Sequence, residues 1–139
     1  MPAATRTTTP SLLRLEVGRL RRDESRQRFD TVVHVGRLGG ERRTCTVAPT
    51  ELGTLDAGTR TEVIARLLEE DPVPEGPAGV WVTRAGEPQI QDDDLAWHSA
   101  ACLAFGALGR SLEGFWAVTR TGWLDVRTGE SRTWKRLRI

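Results

Sequence analysis

Two segments of the chain nearly repeat each other: Gly79-Val-Trp-Val-Thr-Arg-Ala-Gly86 and Gly114-Phe-Trp-Ala-Val-Thr-Arg-Thr-Gly122. Each runs from glycine through an apolar stretch with tryptophan to Val-Thr-Arg-x-Gly. The chemistry on offer is anion recognition. A guanidinium binds phosphate or carboxylate through two parallel N–H bonds, and a neighbouring hydroxyl adds a third donor. Arg84 and Arg120, with Thr83 and Thr119, are therefore the candidate ligand- or phosphate-binding residues. If the two segments are parallel strands, both arginines emerge beyond the carboxyl ends, where open α/β sheets bind ligands. Asp92-Asp93-Asp94 follows the same edge and is the competing partner. An ion-pair network there would make the arginines structural.

Other reactive side chains form no recognised set. His34 and His98 are the only histidines, and Cys45 and Cys102 the only cysteines. They lack paired spacing such as Cys-x2-Cys, so neither a metal nor a cofactor is expected. His98 and Cys102 stand four apart on a predicted helix, an arrangement that a packed helix face explains. Three consecutive Asp on a helix diverge in direction, so Asp92 to Asp94 read as acids stabilising a helix N-terminus. No Gly-x-Ser-x-Gly elbow or Gly-x4-Gly-Lys loop is present, and no residue is singled out as catalytic. A deep pocket lined by Glu16, Glu62, His34 or His98 would favour an enzyme; a filled core would not.

The C-terminal stretch interleaves Arg127, Arg132, Lys135, Arg136 and Arg138 with Trp134. Cations that track phosphates beside a ring that stacks on bases suit single-stranded nucleic acid. The same pattern suits an edge strand whose charges discourage aggregation. Net charge is +1, but residues 1–48 balance at +5, 49–109 at −8 and 110–139 at +4. Such asymmetry fits a nucleic-acid or acidic protein partner, or basic strands paired with acidic helices inside one fold. Of 20 basic residues, 19 are arginine, and Asn and Tyr are absent. A GC-rich genome accounts for that bias, so arginine abundance by itself says little about phosphate. The five tryptophans are a residue type common at interface hot spots, which adds a homodimer to the expectations.

These residues need elements to position them. At 139 residues the chain is long enough for one core. No apolar run approaches a membrane span. Residues 1–10 read as a mobile Thr-rich tail without a signal peptide, and 11–139 as one α/β domain. Two reduced thiols fit a cytoplasmic location. Leu13, Leu15 and Val17 alternate with charges, which favours a first strand; a helix over 11–28 also fits i, i+4, i+7. Phe29–Leu38 and Arg42–Val47 read as strands joined at Gly39-Gly40. A capping-box pattern, Thr59 to Glu62, opens a helix carrying Val63, Ile64, Leu67 and Leu68. Gly79–Arg84, a helix over about 93–108, and Gly114–Arg120 follow, then a short β tail. The order β-β-β-α-β-α-β predicts an α/β (α+β) domain with helices packed on a single mixed sheet. It resembles the ribonuclease H-like fold in element order alone. That resemblance implies a metal-dependent nuclease, which needs converging carboxylates, and the strand Gly79–Arg84 has none. The reading is a non-catalytic module that binds nucleic acid or a phosphorylated ligand through a basic surface. The alternative is a protein-interaction or self-associating module.

Overall fold

The computed structural model describes residues 8–48, 55–70 and 76–135. Among these residues one six-stranded mixed sheet is flanked by three helices, an α+β fold. In chain order the elements are α1 (Thr9–Asp23), β1 (Thr31–Gly36), β2 (Arg42–Val47), α2 (Ala57–Glu69), β3 (Ala78–Thr83), α3 (Asp92–Ala107), β4 (Leu112–Val118), β5 (Gly122–Asp125) and β6 (Ser131–Thr133). Across the sheet the order is β2-β1-β3-β4-β5-β6. Among the described residues only β3 and β4 pair in parallel, joined through α3, and the other pairs are antiparallel.

The expected first strand is a helix. Thr8 caps it through its hydroxyl, which accepts from the Ser11 N–H, and Pro10 suits the first turn. Leu13 and Val17 then fall on one face and are fully buried, whereas Leu15 is exposed. Helical period wins because the sheet offers α1 a tryptophan surface. The β-first order shared with the ribonuclease H-like fold is therefore lost. The tail expected over 1–10 lies outside the described residues as far as residue 7, and Thr9 and Pro10 belong to α1. The second helix also starts earlier than expected. Asp56, not Thr59, is its cap, accepting from the Thr59 N–H at 2.7 Å. Glu62 instead pairs with Arg66 one turn on.

Side chains alternate across the strands, which gives the sheet two packed faces. One face carries Val33, Val35, Val80, Val82, Phe115, Ala117 and Leu124 against Ile64, Leu67 and Leu68 of α2 and Trp97, Ala101, Ala104 and Phe105 of α3. The other carries Trp81, Trp116, Val118 and Trp123 against Leu13 and Val17 of α1. Trp81 pairs directly with Trp116 in the parallel ladder. A register shift between Ala78 and Val80 absorbs the extra residue of the second repeat. The tryptophans of the repeat thus coincide, and Arg84 lies level with Thr119 rather than Arg120. The two arginines are therefore one residue out of register, although both stand beyond the carboxyl ends of their strands. Glycine explains the choice of register. A Cβ on Gly79 or Gly114 would sit 2.8 or 2.4 Å from the Trp116 ring, so both positions must lack a side chain.

Candidate functional site

Arg84 is buried and committed. Its Nε and Nη2 donate to the two carboxylate oxygens of Asp94, each at 2.8 Å. Nη1 donates to the carbonyls of Ala85 and Glu87, and Nη2 also to that of Gln89. Those bonds occupy all five N–H groups of a guanidinium, so Arg84 has no donor left for a ligand. It clamps the loop between β3 and α3. Asp94 also accepts from the Gln91 N–H, and Asp93 pairs with Arg60. The acidic run serves the helix start, as its position implies.

Thr119 is equally occupied. Its hydroxyl oxygen accepts from the backbone N–H groups of Thr121 and Gly122 and ties the turn into β5. Thr83 and Arg120 differ: each lines a cavity. Arg120 is half-buried, and its Nε is buried without a partner. It lines a cavity of about 230 Å³ with Gln27, Phe29, Gly86, Glu87 and Thr121, just past the carboxyl ends of β3 and β4. Phe29 also lines a larger cavity of about 350 Å³ on the α1 side of the sheet. The walls of that larger cavity are the C-terminal half of α1, the loop to β1, and strand residues Val32, His34, Arg42, Thr46 and Thr83.

The floor of the larger cavity is a stack of planar groups. His34 lies parallel to Trp81, with ring centroids 5.1 Å apart and 6° between planes. The Arg42 guanidinium sits 4.7 Å from the centre of the same indole. Thr83 Oγ1 and His34 Nε2 are hydrogen-bonded at 3.0 Å, and His34 Nδ1 is buried without a partner. Glu16 of α1 grips Arg42 through both carboxylate oxygens at 2.6 Å and accepts from the Gly39 N–H at 2.8 Å. Glu16 and His34, which the sequence could only name, therefore meet in one pocket. Residues from α1, β1 and β2 build it, and no local motif announces their meeting.

Burial, helped by the charge of Arg42, lowers the His34 pKa to about 4, so the imidazole is neutral at neutral pH. The unfolded chain protonates this group near the ordinary 6.5. Stability from the neutral, buried ring is thus fully present above that value and is lost as pH falls toward 4. Urea unfolding between pH 7 and 4 should show a loss of up to about 3 kcal/mol that His34→Gln abolishes. An unchanged pH profile in the variant would remove His34 as the cause.

Among the described residues, Arg127 stands apart from Arg132, Trp134 and Lys135. Arg127 lies beyond β5, where Nη1 donates to the Leu112 carbonyl at the start of β4, the end of the sheet opposite Arg120. Arg132 is on β6, and its guanidinium sits 5.4 Å from the centre of the Trp134 ring. Arg14 reaches the same ring at 6.0 Å. Trp134 is half-buried and packs against the α1-side core. Lys135 is exposed. Arg136 and Arg138 lie outside the described residues.

On α3 the structure departs from the packed face expected for His98 and Cys102. Cys102 is exposed and His98 half-exposed, with Cys102 Sγ 3.5 Å from His98 Nε2. Neither Cys45 nor Cys102 forms a disulfide. No helix among the described residues is long and apolar enough to cross a membrane. In comparisons with known proteins, no family model, no curated protein and no solved structure matches this chain.

Proposed function

We propose that this protein is a non-catalytic binding module for a small molecule carrying a phosphate or carboxylate group. The observation that supports it is Arg120, which lines a cavity past the carboxyl ends of the parallel pair β3 and β4 and whose buried Nε has no partner. An anion there gains a charged donor that the fold has already partly desolvated. Gln27 and Thr121 line the same cavity, and the Thr121 hydroxyl donates to the Glu87 carboxylate on its wall. The larger cavity, reached past Phe29, would take the rest of the ligand against His34 and Val32. Asp23, Glu24 and Asp30 on its walls oppose a polyanion, so one anionic group suits the site better than a nucleic-acid strand. Cysteines that form no disulfide are in keeping with a cytoplasmic setting for this role.

Titration calorimetry with inorganic phosphate, a nucleoside monophosphate and a dicarboxylate tests the reading. At least one should bind, and Arg120→Ala should weaken it at least about tenfold, roughly the worth of one charged hydrogen bond. Equal binding by the variant, or no binding of any of the three, would count against the proposal. Salt-sensitive retention of an oligonucleotide would instead favour the nucleic-acid reading.

A second reading, a self-associating module, is favoured by α3, which exposes Leu95 at 45% and Leu103 at 61%. Sedimentation of the purified chain should then show a dimer.

A further inference from the structure

The solvent side of α3 is unlike that of an ordinary surface helix. Leu95, Ser99, Cys102, Leu103 and Gly106 share it at helical spacing, and all five are exposed. No charged residue occurs between Asp94 and Arg110. A Cβ on Gly106 would meet nothing within 4 Å, so a second backbone can approach closely there. A helix that is apolar all round is normally covered all round, and here only the sides toward the sheet and α2 are covered.

Within this face, His98 and Cys102 form a preset pair. In a tetrahedral zinc site, Zn–S near 2.3 Å and Zn–N near 2.0–2.1 Å put sulfur and nitrogen about 3.5–3.6 Å apart. The observed Sγ to Nε2 distance is 3.5 Å. The His98 ring is held against Phe115, with centroids 5.5 Å apart. Among the described residues no cluster of three or more metal-type side chains exists. One chain therefore supplies two ligands of the four that a closed zinc site needs.

We propose that a zinc ion joins two copies of this chain, with His98 and Cys102 of each completing a Cys2His2 site. The proposal rests on the self-associating reading and names what closes the interface. A two-fold axis presents the same patch from both copies. With the two α3 helices antiparallel, Leu95 of one lies toward Leu103 and Gly106 of the other. The acidic helix starts are then at opposite ends, so like charges stay apart. Two thiols give up their protons as the metal binds; no bond other than S–H is broken, and nothing is oxidised.

The test adds zinc chloride to metal-free protein at pH 7.5, followed by sedimentation and metal analysis. The expected result is a dimer holding one zinc per two chains, reversed by a chelator. Cobalt chloride in place of zinc should give thiolate-to-metal charge-transfer absorption together with the d–d bands of a tetrahedral site. Cys102→Ser and His98→Gln should each weaken binding at least about tenfold, whereas Cys45→Ser should change nothing. Both substitutions fall on the surface, and circular dichroism confirms that the variants remain folded. A monomer that binds zinc, the absence of zinc binding, or equal loss in Cys45→Ser would overturn the proposal. A zinc-free dimer untouched by either substitution would also overturn it while leaving self-association standing.

Discussion

Asp94→Ala is expected to lower the unfolding free energy by about 3–5 kcal/mol. The substitution strands Arg84, whose side chain is 4% exposed. Two of its five hydrogen bonds vanish, and its charge is left without a counterion in a place that water barely reaches. The coulombic benefit of the pair matters less than this residue of unpaired charge. Arg84→Met with Asp94→Leu should recover only part of the loss. It removes both charges but leaves the loop carbonyls of Ala85, Glu87 and Gln89 without their donor. Urea unfolding followed by tryptophan fluorescence measures all three proteins. A loss below about 1 kcal/mol for Asp94→Ala, the range of an exposed pair, would show that the clamp is not needed to hold the loop. Binding at Arg120 supplies a second readout. Glu87 and Gly86 belong to the clamped loop and line the Arg120 cavity, so ligand affinity should fall together with stability.

Glu16→Ala is expected to cost a similar amount, about 3–5 kcal/mol, because Glu16 is the counterion of a largely buried Arg42. Three elements depend on it: α1 carries the carboxylate, β2 the guanidinium, and the β1–β2 turn the Gly39 N–H. Without the carboxylate, Arg42 loses the fixed position that lays it over Trp81. Glu16→Gln keeps the shape and some of the bonds and should cost less. The pH dependence has a definite sign. Burial pushes the Glu16 carboxyl up, but the Arg42 hydrogen bonds and charge with the Gly39 N–H hold it below its ordinary 4.5. The folded state therefore prefers the ionised form. That stability is present above pH 4.5 and is lost as pH falls through the lower folded value. The His34 contribution is lost over a higher window, between about 6.5 and 4. Comparing Glu16→Gln with His34→Gln across pH 7 to 3 separates the two: the first should flatten the acid end, and the second the region just above it.

The sheet-forming stretches were legible in the sequence because strand alternation and turn glycines are local signals. Phe29–Leu38 contains β1 and Arg42–Val47 coincides with β2, whereas Gly79–Arg84 and Gly114–Arg120 overlap β3 and β4 but begin one and two residues late; the 93–108 helix is shifted by one residue. The helical start of the chain was ambiguous for a physical reason. Leu13 and Val17 satisfy both periods, and only the tryptophan surface of Trp81, Trp116 and Trp123 across the sheet selects the helix. The same holds for the repeat. Its arginines look equivalent by spacing, but a one-residue shift between Ala78 and Val80 puts the tryptophans in register and the arginines out of it. Trp116 needs the empty space at Gly79 and Gly114, and filling that space outweighs any match at the strand ends.

By itself the sequence determined the α+β class, the parallel pair around α3, the acidic cap of that helix and the two arginines worth testing. Tertiary structure alone decided their fates. Arg84 is consumed because the loop after β3 folds the carbonyls of Ala85, Glu87 and Gln89 back onto the guanidinium, while Arg120, one step further on past β4, escapes the clamp and lines a cavity. It also brought Glu16, His34, Arg42 and Thr83 together from four elements. Pairings between residues far apart in the chain depend on register and on which face each element buries. Those follow from packing the whole core at once, not from any window of sequence.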